Sequence, residues 1–248
     1  MLNLFKTGVY FSLIIFFSTG LNAQKIIKNF HKDSLTNEQL LILKSNFGKH
    51  KTIPQAFENQ ILIALSYFPE LKDTKIDFKL KNRTTPLATR PTFLSMFRSA
   101  KKRTYVITIS KKSTNYLDAI VLKNIGYNAQ IGVLGHELSH VSDYLNKGFG
   151  EMFTVATNEV FSKKKIDKFE FNTDLNCINH GLGYQLLDWS IQVRENLKRN
   201  NWLGAINLMG AENNERYMNP ATIINILDKH HLYKDDEKNT VTTQISQD

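Results

Sequence analysis

Cysteine, proline and glycine are scarce in this chain of 248 residues, which contains 1 Cys, 5 Pro and 12 Gly. The single cysteine, Cys177, excludes an internal disulfide, and its place deep in the chain excludes lipid modification at an export cleavage site. We expect a buried thiol there, because free cysteine behaves as a small hydrophobe. The chain is 42% hydrophobic and 22% charged, which excludes a disordered or fibrous protein and favours a globular domain.

Internal repeats, linkers rich in Pro, Gly or Ser, and recognisable nucleic-acid motifs are also lacking. The sequence therefore predicts one main domain and no specific nucleic-acid partner. Basic residues outnumber acidic ones by 32 to 23, a formal net charge of +9. The excess lies partly in three short clusters: Arg98, Lys101, Lys102 and Arg103; Lys111 and Lys112; and Lys163, Lys164 and Lys165. We expect solvated faces there, with attraction to nucleic acid, anionic lipid or acidic polymers as the alternative.

The N-terminus has the pattern of a secretory signal peptide over residues 1–23. Lys6 precedes an apolar run from Val9 to Phe17, and small residues follow up to Ala23. The run is short for a membrane span, although an uncleaved anchor is the alternative. The sequence thus predicts an exported protein, secreted or periplasmic, whose mature chain begins near Gln24.

Two helices are predicted early in the chain. Residues 24–36 are polar and favour a flexible lead-in, and a helix is expected from Asn37 until Gly48 stops it. A second helix is expected from Pro54, which suits a first helical position, to about Phe68. We assign 24–53 to a lead-in with a short helix, 54–233 to the main domain, and 234–248 to a polar tail.

Strand patterns follow. Ile76, Phe78 and Leu80 alternate with charged residues, as in a half-buried strand, and a loop containing Pro86 and Pro91 comes next. Tyr105–Ser110 has strong strand propensity, and the basic residues at both of its ends favour an exposed edge strand. Beyond Gly126 the pattern is mainly helical. The predicted fold is α+β: a small mixed sheet whose edge strand packs on an active-site helix, followed by a mainly helical C-terminal part.

The most informative segment runs from Asn128 to Gly148, which are the expected cap and stop of one helix. Leu134, Leu138, Val141 and Leu145 form its apolar stripe. His136 and His140 are four residues apart and stand one turn above each other on another face.

This H-E-x-x-H spacing has a chemical reason. Two imidazoles so placed can bind one Zn²⁺ ion, and Glu137 on the flank of that face can touch a metal-bound water without being a ligand. Zinc lowers the pKa of bound water to about 7. A neighbouring carboxylate can then take the proton as general base. The alternative is a pair of surface histidines on an ordinary helix.

A catalytic zinc site usually has a third protein ligand. The metzincin extension is excluded, because Asp143 and Asn146 stand where it requires Gly and His. Glu170 is the predicted third ligand if its segment is helical, and Asp174, one turn on, would orient a ligating histidine. Rivals for the third position are Glu151, Glu159, Asp174 itself and His180. Asp143 either supports a ligand or belongs to the polar face of its helix.

The pairing of His136-Glu137-Leu138-Ser139-His140 with Glu170 and Asp174 resembles the gluzincin clan of zinc peptidases, which includes thermolysin-like enzymes. Thr173 stands where some members carry a small Ala. The resemblance covers about 40 residues. The length fits a compact, minigluzincin-like domain. The resemblance implies Zn²⁺ as cofactor, and a peptide or protein substrate that pairs in an extended conformation with the strand at Tyr105–Ser110.

The expected function is therefore that of an exported zinc metallopeptidase. No spacing selects the residue that would stabilise the developing oxyanion; the candidates are His180, Tyr184, Tyr217, His230 and His231. One alternative is a zincin-like domain that acts on another amide or ester, or that binds without catalysis. The other is a basic exported protein that binds polyanions.

Overall fold

A computed structural model describes residues 26–114, 116–152, 154, 163–201 and 215–234. The predicted signal peptide, most of the predicted C-terminal tail and Glu159 lie outside this part of the chain. Within it the fold is mixed α and β, as predicted, and the strands of its small sheet precede most of the helices along the chain.

The helices that organise the domain follow in chain order. They are α1 (Asn37–Phe47), α2 (Glu58–Ser66), α3 (Tyr127–Leu145), α4 (Lys163–Asn179), α5 (Gly183–Arg199) and α6 (Pro220–Lys229). The predicted first helix is confirmed, with Thr36 and Gln39 forming a capping box at its start. The predicted second helix begins as a 3₁₀ turn over Gln55–Phe57 and continues as α2. No helix among the described residues is both long and apolar enough to cross a membrane.

Four strands form one sheet in the order β1-β2-β4-β3: β1 (Lys51–Thr52), β2 (Lys75–Lys81), β3 (Leu87–Pro91) and β4 (Thr104–Ser110). Neighbours β1–β2 and β2–β4 are parallel, whereas β3 is antiparallel to β4. The strand predicted around Ile76, Phe78 and Leu80 is confirmed as β2.

The prediction that Tyr105–Ser110 is an exposed edge strand was wrong, because β4 lies inside the sheet between β2 and β3. Tyr105, Ile107 and Ile109 are fully buried on the helix side, and long basic side chains from neighbouring strands line the surface above Val106 and Thr108.

The edge strand next to β4 is β3, in the segment that was predicted to be a loop. Its prolines are tolerated because of where they stand. Pro86 precedes the strand, and its carbonyl accepts from the Ser110 amide. In an antiparallel pair, residues whose backbone groups face the partner strand alternate with residues whose backbone groups point away from it. Pro91 is of the second kind, so the N–H that it lacks would have pointed away from β4.

Helix α3 is the centre of the domain and packs against α2, α4, α5 and β3. Its approach to α5 requires glycine: a Cβ atom on Gly132 would lie 2.1 Å from the carbonyl oxygen of Gln185. The start was predicted two residues late, since Gly126 and not Asn128 is the N-cap. Asn128 instead lies inside the helix, where its side-chain oxygen accepts hydrogen bonds from the Phe30 amide and the Gln185 side chain.

Both ends of α3 are fixed by residues far away in sequence. The helix stops at Leu145, before the predicted stop at Gly148, and the buried guanidinium of Arg103 donates to the Tyr144 and Lys147 carbonyls there.

Phe30 is buried beside Tyr67. The expectation of a flexible lead-in was therefore wrong for the residues near Phe30, which join the core.

Candidate metal centre

Two neighbouring helices supply the residues of the centre. Helix α3 carries His136 and His140, which are one turn apart, and α4 carries Glu170 and Asp174 at the same spacing. Because α3 and α4 pack together, the two pairs face each other. Both histidines are buried, and the Glu170 carboxylate is largely buried. The structure thus brings together three predicted ligands that are distant in sequence.

The distances at this cluster suit a small cation. Oε2 of Glu170 lies 3.1 Å from Nε2 of His136 and 3.4 Å from Nε2 of His140. Ligand atoms held about 2.0–2.1 Å from a tetrahedral zinc ion are separated by roughly 3.3–3.4 Å. The two imidazole rings are nearly perpendicular, with centroids 4.8 Å apart. Both oxygen–nitrogen distances are therefore close to those that a bound ion would impose, and all three ligand atoms lie within 4.8 Å of one another.

Hydrogen bonds on the far side of each ring determine which nitrogen carries the proton. Nδ1 of His136 lies 2.8 Å from Oδ1 of Asp174, so it donates to that carboxylate. Nδ1 of His140 lies 3.3 Å from Oγ1 of Thr173, whose only hydroxyl proton is donated to the Phe169 carbonyl at 2.9 Å. The Thr173 oxygen can therefore only accept from His140.

When each ring is neutral, its proton is on Nδ1, and the lone pair of Nε2 faces Oε2 of Glu170. Lone pairs facing a carboxylate repel, unless a proton or a metal cation lies between them. The donor set of two nitrogens and one oxygen is the set that Zn²⁺ accepts in open catalytic sites. The chemistry of the donors therefore fits a zinc ion.

The pKa values have the direction expected of a cation site. Burial alone would lower the pKa of His136, but the carboxylates of Asp174 and Glu170 raise it well above its usual value. Burial would raise the pKa of Glu170, whereas the hydrogen bonds from His136 and His140 hold it well below its usual range. Negative charge is thus concentrated where the two imidazoles converge.

Asp174 is held at both oxygens. While Oδ1 accepts from His136, Oδ2 accepts from the backbone amide of Met218 at 2.8 Å. The side chain is buried, so neither oxygen is free to turn away. This contact is the one expected of a residue that orients a ligating histidine.

Glu137 lies on the flank of the cluster, beside the edge strand. Its Oε2 accepts a 2.6 Å hydrogen bond from the hydroxyl of Thr89 on β3. Together with His136 it lines a cavity of about 280 Å³. The carboxylate is therefore held beside the metal cluster with one oxygen fixed by the strand.

The cavity is apolar on most of its walls and has two arginines and a tyrosine near the histidine. Its apolar walls are formed by Leu87, Leu117, Ile120, Val133, Trp189 and Val193. Arg194, Arg216 and Tyr217 complete it, and Nε of Arg216 is paired with Asp167 at 2.7 Å. A single side chain of moderate size fits this volume.

Among the five candidate oxyanion donors, Tyr217 is the one that lies beside the metal cluster. Its ring lies 5.7 Å from that of His136. Burial, reinforced by the charges of Glu170, Glu137 and Asp174, raises the pKa of Tyr217 well above its usual value, so the phenol keeps its proton. His180 instead pairs with Glu70. The other three candidates contact residues that do not belong to the metal cluster: Tyr184 contacts Tyr233, His230 contacts Asn179, and His231 contacts His230.

The remaining rival residues do not enter the cluster. Asp143 forms an ion pair with Lys147, which follows its helix, and this contact favours the polar-face role over the support of a ligand. Glu151 accepts from the Gly148 amide at 2.7 Å. Among the described residues, His136, His140 and Glu170 are the group of three that could hold a metal ion.

Three site residues were not predicted: Thr89, Thr173 and Trp189. Thr173 was visible only as a departure from the resembled pattern, and its position three residues after Glu170 on a helix was a usable signal. Thr89 reaches Glu137 across 48 residues and Trp189 reaches His136 across 53, so no local pattern points to either contact.

In comparisons with known proteins, the chain matches no protein-family model, no curated protein and no solved structure.

Proposed function

We propose that the chain is a zinc-dependent metallopeptidase of the gluzincin type, exported by its N-terminal segment. The observation that carries the proposal is the convergence of two Nε2 atoms on one oxygen of Glu170, while each Nδ1 lies within hydrogen-bond distance of another side chain. His136, His140 and Glu170 would hold the ion, and the position facing the cavity would stay open. When bound there, zinc supplies Lewis-acid polarisation and lowers the pKa of water to about 7.

The protein's own residues would carry the proton transfers. Glu137 takes the proton of the attacking water as general base and passes it to the leaving amine. The Thr89 hydroxyl holds one oxygen of Glu137, so the other is directed at the water. Tyr217, which is neutral and partly buried, donates its hydroxyl proton in a hydrogen bond to the oxyanion that develops on the scissile carbonyl.

The edge strand supports a peptide as the substrate. No other strand among the described residues pairs with the outer side of β3. The alternation of antiparallel bonds directs the backbone groups of Leu87 and Thr89 to that side. An extended peptide can add there as a further strand, which places it beside Glu137 and next to the apolar cavity. This replaces β4 as the substrate-pairing strand.

The test combines metal content with activity on the intact chain. The account expects about one zinc per chain by elemental analysis and hydrolysis of an unfolded protein such as reduced casein. Glu137→Gln should keep the zinc and lose hydrolysis, whereas the matched change Glu38→Gln on α1 should alter neither. Full activity in Glu137→Gln would exclude the proposed base. Retained zinc with no hydrolysis of any peptide by the unaltered chain would exclude the peptidase.

A further inference from the structure

A stretch of the chain outside the metal centre is exclusively basic. Between Asp77 and Asp118 there are ten Lys and Arg residues and no Asp or Glu. The whole chain has a net charge of only +9, so the rest of it is slightly acidic. The positive charge of this protein is therefore concentrated in one segment, which contains β3, β4 and the turns between them.

The same segment exposes large apolar side chains. Phe93, Leu94 and Phe97 are 76%, 79% and 66% exposed, and Phe149, which follows α3, is 47% exposed. Phe97 stacks on Phe149 with ring centroids 5.2 Å apart, and Phe93 meets Phe97 edge-on at 6.1 Å. The three phenylalanine rings are thus in contact and Leu94 follows Phe93 in the chain; we call these four exposed residues the apolar patch.

The backbone beneath the apolar patch is braced. A 3₁₀ turn runs over Phe93–Ser95, and the Ser95 hydroxyl bonds to Thr92 and Thr104. The buried Arg103 guanidinium donates to the carbonyls of Arg98 and Lys147, which ties the turn carrying Phe97 to the segment that leads to Phe149. The predicted solvated role of Arg103 was thus wrong. The exposure of the patch is a feature of an ordered surface.

Basic side chains surround the apolar patch. Arg83 and Arg90 line one surface cavity together with Phe93 and Lys81, and Arg98, Lys101 and Lys102 are exposed in the turns that follow. The six basic residues among these are called the basic rim: Lys81, Arg83, Arg90, Arg98, Lys101 and Lys102. The nearest carboxylate on the sheet, Asp77, is engaged by Thr52 and Lys79. The rim is therefore not neutralised by the acidic groups described around it.

We propose that the apolar patch and basic rim form a docking surface for an anionic lipid membrane. Aromatic and leucine side chains enter the boundary between headgroups and acyl chains, while surrounding lysines and arginines bind anionic headgroups. A second copy of the chain does not fit this surface, because two rims of the same sign would face each other. Nucleic acid would use the rim but would leave Leu94 without a favourable contact, since aliphatic side chains do not stack on bases as aromatic rings do.

The proposal does not depend on zinc or on peptide hydrolysis. It does bear on them, because Thr89, which holds Glu137, is four residues before Phe93 on the same strand and turn. Docking would place the substrate-pairing edge near the membrane surface.

The first experiment measures co-sedimentation of the full-length chain with vesicles of phosphatidylcholine alone or of phosphatidylcholine and phosphatidylglycerol in equal parts. The mixed vesicles should bind the chain more tightly, and added salt should weaken that preference. Phe93→Ser/Phe97→Ser and Lys101→Gln/Lys102→Gln should each reduce partitioning into mixed vesicles by on the order of tenfold. All four side chains are exposed, so the fold should be unaffected, and this is verified by thermal melting.

Matched controls remove comparable groups elsewhere. Leu41→Ser/Ile42→Ser changes exposed apolar residues of α1, and Lys32→Gln/Lys49→Gln changes exposed lysines. Neither should alter partitioning by more than about twofold. Equal losses in the control and patch variants would overturn the proposal. So would an undiminished affinity in Phe93→Ser/Phe97→Ser accompanied by strong heparin retention, which would identify a polyanion site instead.

A second readout excludes attachment through the apolar run Val9–Phe17. Tryptophan is introduced as Leu94→Trp or, as control, Leu41→Trp, and the fluorescence of the unaltered chain is subtracted. Brominated acyl chains should quench the first and spare the second. Equal quenching of both, or of neither, contradicts the proposed surface.

Discussion

The hydroxyl of Thr173 provides a sharp test of how the metal centre is built. Thr173→Val keeps the volume of the side chain but removes the acceptor that the described residues offer to the His140 Nδ1–H. The freed ring can then place its proton on Nε2, facing Glu170 at 3.4 Å, where it must be displaced before zinc binds. Zinc affinity should fall although no ligand has been changed.

The size of the effect follows from the contact that is lost. A buried donor without a partner costs about 1–3 kcal/mol, which corresponds to roughly 5- to 150-fold in a binding constant. The bond between His140 and Thr173 is long for a hydrogen bond, at 3.3 Å, which favours the lower part of this range. We expect the dissociation constant for zinc to rise about tenfold, at the lower end of what loss of such a supporting contact produces.

Competition with a chromophoric chelator measures the dissociation constant, and melting of the metal-free chain verifies that each variant folds. Thr173→Ser keeps the hydroxyl and should bind zinc like the unaltered chain. The exposed neighbour Asn172→Ala on the same helix controls for changes to α4 itself. If Thr173→Val bound zinc as tightly as Thr173→Ser, the argument about the tautomer of His140 would be refuted.

Three further outcomes are expected. Tyr217→Phe should keep its zinc and lower kcat by about 100-fold through loss of one oxyanion donor, as measured by steady-state peptide hydrolysis; a kcat unchanged within twofold would remove Tyr217 from the proposed mechanism. Gly132→Ala should destabilise the chain by about 1–3 kcal/mol in urea unfolding because its Cβ has no room, whereas Gly150→Ala, with nothing within 4 Å of its Cβ, should not; similar stability in both would contradict the close helix packing. Burial opposes both shifts, yet the pair formed by Glu70 and His180 lowers the pKa of Glu70 from 4.5 and raises the pKa of His180 from 6.5. The stability that His180 contributes is complete below pH 6.5 and is lost as the pH rises through its raised pKa. The stability that Glu70 contributes is complete above pH 4.5 and is lost as the pH falls through its lowered pKa. Glu70→Gln should therefore reduce the free energy of unfolding most between these two pH values. Solvent screening of the partly exposed Glu70 limits that reduction to roughly 1 kcal/mol, and a loss independent of pH would contradict the pairing.

The parts of the fold that sequence could predict are those written in local periodicity. The stripe of Leu134, Leu138 and Val141 predicts α3, and the alternation around Phe78 predicts β2, because one face of each element must be buried. The pairing of Glu170 with the two histidines could be expected for the same reason, since four-residue spacing on two helices aligns side chains that a single packing contact then brings together.

What sequence could not predict depends on contacts between distant segments. The strand β3 follows one proline and ends in another, residues that usually mark loops, and it is a strand only because β4 satisfies its inner side and its outer side needs no N–H at Pro91. The basic residues beside β4 indicated an edge by their charge, but Arg103 is buried against the end of α3. Tyr217 joins the site only through the fold of α4 and the chain after it, which no spacing in the sequence encodes.

Zinc-edge anomalous diffraction from crystals of the intact chain tests the central claim most directly. The account predicts one peak, about 2.0–2.1 Å from Nε2 of His136, Nε2 of His140 and a carboxylate oxygen of Glu170, with Glu137 near it but not bound. A zinc-saturated crystal with no peak between the two imidazoles, or with the metal held by other residues, would contradict it.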